Sequence, residues 1–178
     1  MYNSVIVWKY LYKKMHLKAN QILLDGLKSL GLLTGDTKEM LAEGVGGLFM
    51  PHGLGHSIGL DVHDMEDLGE QLVGYRPGLK RATQLGLRSL RLARELETGM
   101  VLTVEPGIYF IPELIEKWRG EGKFKQWIQY EKLEQWKNFG GIRIEDNCLI
   151  TETGSKTLGL PIPKTVNEIE HERSIAMG

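Results

Sequence analysis

FMPHGLGHSIGLDVHD, residues 49–64, gathers three of the chain's five histidines, His52, His56 and His63, within twelve positions. Pro51, Gly53 and Gly55 oppose a helix around the first two. His52 and His56 are therefore not expected to form the one-faced helical pair of a zincin, which also needs a Glu inside its motif. The spacing predicts a Gly-rich bend that brings backbone and imidazole close together and leaves the rings exposed to a cavity. After it, the alternation over 58–63 predicts a strand with Ile58, Leu60 and Val62 on one face. The expectation is a site built on a loop and a strand.

Two later stretches supply what such a site needs. VLTVEPGIY, residues 101–109, is a β-rich run that carries Glu105 and closes on Pro106-Gly107. GGIRIED, residues 140–146, reads as a second short strand with Arg143 and Glu145 two apart and so on one face. One neutral imidazole and two carboxylates on separate strands make a donor set suited to a divalent metal.

The remaining composition excludes more than it selects. With 178 residues the chain has the size of one ordinary domain, and 42% hydrophobic and 25% charged residues are average for a globular protein. A formal net charge of −1 gives no reason to expect nucleic acid or an anionic membrane as partner. Cys148 is the only cysteine, so no intramolecular disulfide can form, and its apolar setting predicts a buried, inert thiol. No run approaches the ~20 apolar residues of a membrane span. MYNSVIVWKYLYKK, residues 1–14, is atypical: its charge follows the apolar centre and no cleavage site ends it, so it does not read as a signal peptide. A cytoplasmic location is the expectation.

Around the motifs, apolar spacing predicts a helix over 15–33 with Gly31 at its C-terminal cap, and a short second helix over 37–43 capped by Asp36 or Thr37. Residues 65–85 read as a polar loop beside the site. In 87–96, Arg88, Arg91 and Arg94 recur every three residues, the usual mark of a solvated face. Residues 112–138 predict a helical insert whose Trp118, Trp127 and Trp136 pack into the core. Thr165 and Glu168 form a capping box that opens a terminal helix. No internal repeat or linker divides the chain, which reads as one domain over 15–178 after the atypical first fourteen residues.

PHGLGHSIGLDVHD, LTVEPGIY and GGIRIED, in that order, closely resemble the three C-terminal motifs of the Xaa-Pro dipeptidases (prolidases) and aminopeptidases P, the pita-bread metallopeptidases. GLRSLRLARELETGM, which precedes LTVEPG, resembles prolidase as well, and the resemblance extends from about Met15 to the C-terminus. It implies an α+β fold: the C-terminal part of a pita-bread (creatinase/aminopeptidase-like) domain, a curved antiparallel sheet backed by helices. The implied activity is metal-dependent hydrolysis of an Xaa-Pro bond in a proline-containing dipeptide or peptide, with the choice between dipeptidase and aminopeptidase left open. By resemblance His56, Glu105 and Glu145 match three of the family's five ligands to a pair of divalent ions, manganese first, zinc or cobalt next. Glu105 would also handle the proton of the attacking water. His52 and His63 match non-ligand histidines that bind substrate or stabilise the tetrahedral intermediate. Arg143 matches an arginine beside the metal carboxylates, and Arg91 one that helps hold the substrate.

The family's first two ligands are aspartates on a hairpin upstream of the first helix, and Asp25, Asp36 and Asp61 stand in the wrong contexts to replace them. The sequence therefore reads as the C-terminal part of a longer enzyme, with one weak metal site. A homodimer is expected, and the alternative is a non-catalytic remnant serving as a binding or interface module.

Overall fold

The computed structural model describes residues 11–177. Residues 1–10, most of the atypical first stretch, lie outside the described residues. Leu11 bridges Glu95 and helix α1 (Tyr12–Ser29) begins at once, three residues before the expected start. Nothing between Tyr12 and Met15 breaks a helix, and the Tyr12 ring is fully buried. The buried face of α1 is Tyr12, His16, Asn20, Leu24 and Leu27, a helical row of three- and four-residue steps. Its C-terminus closes as a Schellman motif: Gly31 N–H donates to Lys28 O at 2.9 Å and Leu32 N–H to Leu27 O at 3.0 Å. Helix α2 (Thr37–Glu43) starts at Asp36, whose carboxylate accepts from Lys38 N–H at 2.6 Å and Glu39 N–H at 3.2 Å.

After the histidine stretch come a one-turn helix, α3 (Glu70–Val73), and the strands β1 (Val101–Val104) and β2 (Gly107–Phe110). Helices α4 (Pro112–Gly120) and α5 (Tyr130–Leu133) form the insert. Strands β3 (Gly140–Arg143), β4 (Asp146–Thr151) and β5 (Gly154–Thr157) lead to the terminal helix α6 (Val166–Met177). The result is an α+β mixture of helices and two small antiparallel sheets, β1-β4-β5 and β2-β3. The capping box at the start of α6 forms, with Glu168 Oε2 accepting from Thr165 N–H at 2.8 Å.

Strand pairing positions the site. Val101 pairs with Leu149 and Val104 with Asp146; beyond the break, Gly107 pairs with Arg143 and Phe110 with Gly140. The register is the same on both sides, so continuing it sets Glu105 directly opposite Glu145. The ladder breaks there because Pro106 has no N–H, although Ile144 N–H still reaches Pro106 O at 3.2 Å. Each β-rich motif is thus two strands interrupted at its carboxylate.

The other edge of β1 is taken by the histidine stretch. Thr103 N–H donates to His56 O at 2.9 Å and Glu105 N–H to Leu54 O at 2.8 Å. Gly55 permits this approach, since a Cβ there would lie 2.1 Å from Thr103 O and 2.5 Å from the Tyr12 hydroxyl. Pairing stops at Ser57 and Ile58, and residues 59–63 form no strand. Gly59 N–H turns to Asp61 O at 3.1 Å and Asp64 N–H to Ser57 O at 3.3 Å. This closes a loop that leaves Leu60 and Val62 exposed rather than on a buried face.

Two apolar clusters flank the site. One joins Leu24, Leu27, Met40 and Phe49 to Phe110, Ile115, Trp118 and Leu133, so the insert packs into the core. Trp127 and Trp136 lie against this cluster, partly buried. The second centres on Tyr12, Leu90, Leu92, Leu102, Cys148 and Ile150. Cys148 is a buried free thiol, its pKa raised by burial.

Candidate metal centre

His56, Glu105 and Glu145 each bring one ligand atom to a common point, with these atoms all within 4.8 Å of one another. Glu105 directly follows β1 and Glu145 directly precedes β4, so the two stand opposite each other across the interrupted ladder. Like charges opposed in this way destabilise a sheet. His56 reaches the pair from the neighbouring segment, its Nε2 3.6 Å from Glu105 Oε1. The Nδ1 of His56 lies 3.0 Å from Ser57 O, and a carbonyl only accepts, so Nδ1 carries the proton. That leaves the Nε2 lone pair directed at the carboxylates, the tautomer a metal-ligating imidazole needs. One imidazole lone pair and two opposed carboxylates fit a divalent cation by donor type and by charge.

Thr103 ties the donors together, and the sequence reading missed it. Its hydroxyl accepts from His56 N–H at 2.9 Å and donates to Glu105 Oε1 at 3.1 Å. The signal was present, because residues two apart in a strand share a face and Thr103 stands two before Glu105. Tyr12 holds the same point from α1, donating to Thr103 O at 2.6 Å. Burial first, and the Glu105 charge second, raise the Tyr12 pKa well above its usual value, so the phenol stays a donor.

A cavity of about 400 Å³ opens on this centre, lined by His52, His56, His63, Arg91 and Arg143 with both glutamates. His52 has its Nδ1 2.7 Å from Gly53 O, which fixes the proton there and leaves a buried Nε2 with no hydrogen-bond partner among the described residues. The His52 ring packs edge-on against Tyr109, and the His63 ring edge-on against His56 at 4.2 Å between centroids. Arg143 bridges the carboxylates, 3.5 Å from Glu105 Oε2 and 3.9 Å from Glu145 Oε2. Arg91 lies further out, beside His63 at 3.2 Å. The structure therefore brings together all seven residues singled out from sequence. Arg88 and Arg94, which share the three-residue spacing, do not line the cavity.

The family model described as Metallopeptidase family M24 matches residues 10–152. The Xaa-Pro dipeptidase of Rattus norvegicus is 46% identical over 164 residues, covering 92% of this chain and 31% of the relative. That of Homo sapiens is 43% identical over the same coverage. Among solved structures, Pseudomonas aeruginosa aminopeptidase PepP superposes with a TM-score of 0.68 at 31% identity, over 98% of this chain and 32% of its own. Zinc-substituted Escherichia coli aminopeptidase P in complex with product gives 0.66 at 31% identity, over 98% and 31%. The chain thus spans about a third of the length of the curated relatives it matches.

Proposed function

The chain belongs to metallopeptidase family M24, and from that premise we propose that it carries three donors of a metal-dependent hydrolase site acting on Xaa-Pro bonds. The observation that carries this reading is the convergence of His56, Glu105 and Glu145 to within 4.8 Å on elements distant in sequence. Divalent ions, manganese ahead of zinc or cobalt, supply Lewis acidity and a more acidic water to such a site. Glu105, held by the Thr103 hydroxyl, is the base that receives the proton of the attacking water. His52 offers its unpartnered Nε2 to a substrate N–H, and His63 and Arg143 face the charge that develops on the scissile carbonyl oxygen. Arg91 holds a peptide carboxylate, as its donor-only guanidinium suits. The cavity, about 400 Å³, has room for a dipeptide.

Three donors are fewer than a pair of ions needs. We therefore propose that residues 1–178 by themselves bind about one divalent ion weakly, in a cytoplasmic setting. Their hydrolysis of Xaa-Pro dipeptides would be orders of magnitude slower than that of an intact homologue. A proline-release assay on Gly-Pro and Ala-Pro with added manganese tests this. Turnover equal to that of a full-length relative would contradict it. One observation favours a second reading, a non-catalytic binding or interface module. Among the described residues strand β3 pairs with β2 alone, and all four of its residues are exposed. Complete inactivity at saturating manganese, with association through that edge, would select it.

A further inference from the structure

Glu66 was singled out by no motif and does not line the cavity, yet it bonds the residue that touches His63. Arg91 Nη1 lies 3.2 Å from His63 Nδ1 and is ion-paired with Glu66 Oε2. A guanidinium has donors only. Nδ1 of His63 must therefore accept, and the ring proton sits on Nε2, the opposite of the arrangement in His52 and His56. Two histidines of the cavity thus present a lone pair through Nε2, while His63 alone presents an N–H.

We infer that Glu66 is a positioning residue: it clamps the Arg91 guanidinium against His63 Nδ1 and so fixes His63 as an Nε2–H donor to the cavity. The local backbone is built for this contact. Met65 is one of two non-glycine residues among those described with a left-handed backbone, at φ 58°, and it opens the 3-10 turn Glu66–Leu68 that carries Glu66. At the other end of the same loop, Gly74 O accepts from Ala93 N–H at 2.7 Å and Arg94 N–H at 3.0 Å. A Cβ at Gly74 would meet Arg91 O at 1.6 Å. One loop therefore seats the Arg91 backbone at Gly74 and the Arg91 head at Glu66. With its carboxylate nearly buried and its partner half-exposed, Glu66 grips the guanidinium from outside the cavity and leaves the remaining N–H groups of Arg91 for a ligand. The value of a fixed donor at His63 rests on the peptidase reading above; the tautomer itself does not.

The test is nuclear magnetic resonance on the metal-free, histidine- and arginine-labelled 178-residue chain at mildly alkaline pH, where free imidazoles are neutral. In the wild type His63 is expected to show a pyridine-like Nδ1 and a protonated Nε2. The excess over the other tautomer should be about tenfold or more, the worth of one charge-assisted hydrogen bond. Arg91 should show resolved, slowly rotating Nη signals. Glu66→Gln should merge the Arg91 signals and lower the His63 excess several-fold, and Arg91→Met should lower it as far, while His52 and His56 keep protonated Nδ1. A protonated Nδ1 at His63 in the wild type would overturn the inference without recourse to any variant. So would unchanged His63 and Arg91 spectra in Glu66→Gln. Loss of metal binding or peptide turnover, with these spectra as expected, would overturn the peptidase reading and leave the role of Glu66 standing.

Discussion

Thr103 shows at the scale of single residues how the site is built by a group outside the three candidate donors. Thr103→Val keeps shape but leaves the His56 N–H without its acceptor and Glu105 Oε1 without the hydroxyl donor. Loss of one such bond costs about 1–3 kcal/mol, and loss of a supporting partner typically weakens a metal about 10–100-fold. Thermal unfolding and calorimetric metal titration of the variant should show both. His16 is buried in α1, accepting from the Asn20 amide at 3.1 Å. Burial chiefly, and the nearby His52, lower its pKa from 6.5 to about 4. A histidine held neutral in the fold adds stability above its unfolded pKa, and that stability is lost as pH falls from 6.5 through about 4. The expected loss is about 3 kcal/mol, read from denaturant unfolding at the two ends of that window, and His16→Gln should flatten it. His52, His56, His63, Glu105 and Glu145 stood out in the sequence by type and spacing, and the resemblance, not the spacing, divided them into ligands and substrate groups. Glu66 was not legible, because its partner Arg91 lies 25 residues away and meets it only through the fold.

At the scale of elements, the β-rich motifs were read as strands, and their division at Glu105 and Glu145 is where the sequence signal fell short. The sequence closes the first run on Pro106-Gly107, and only the pairing register reveals that the strand resumes beyond them as β2 and that the two carboxylates stand opposed. The expected strand over 58–63 failed for the reverse reason. Its alternation is genuine, but Gly59 and Asp64 close a loop before pairing can continue. This has a measurable consequence. Leu60→Ser should change stability by less than about 0.5 kcal/mol, as for a surface site, whereas Leu102→Ala in β1 should cost about 2–5 kcal/mol. Equal costs in denaturant unfolding would mean that Leu60 is buried in solution. The helix boundaries were legible where caps are chemical, at Asp36, Gly31 and Thr165. The start of α1 was not, because the amino-terminal side of Met15 carries no capping signal.

Across the described residues, two apolar clusters flank the cavity and the three candidate donors, in a fold shared with metallopeptidase family M24. The exposed β3 edge, with Ile142 facing solvent beside Phe139, is the kind of surface that pairs with another chain. A concentration-dependent mass by sedimentation is expected, and Ile142→Lys should reduce it; a monomer at all concentrations would count against this edge as an interface. The proposed function depends on His56, Glu105 and Glu145 acting as one metal locus. The most direct test is a manganese titration of the wild type beside His56→Ala and Glu145→Gln, with circular dichroism confirming that each variant is folded. The expected result is about one ion bound by the wild type and an affinity at least about tenfold lower in both variants, since each loses a direct ligand. Equal affinity in all three proteins would contradict it.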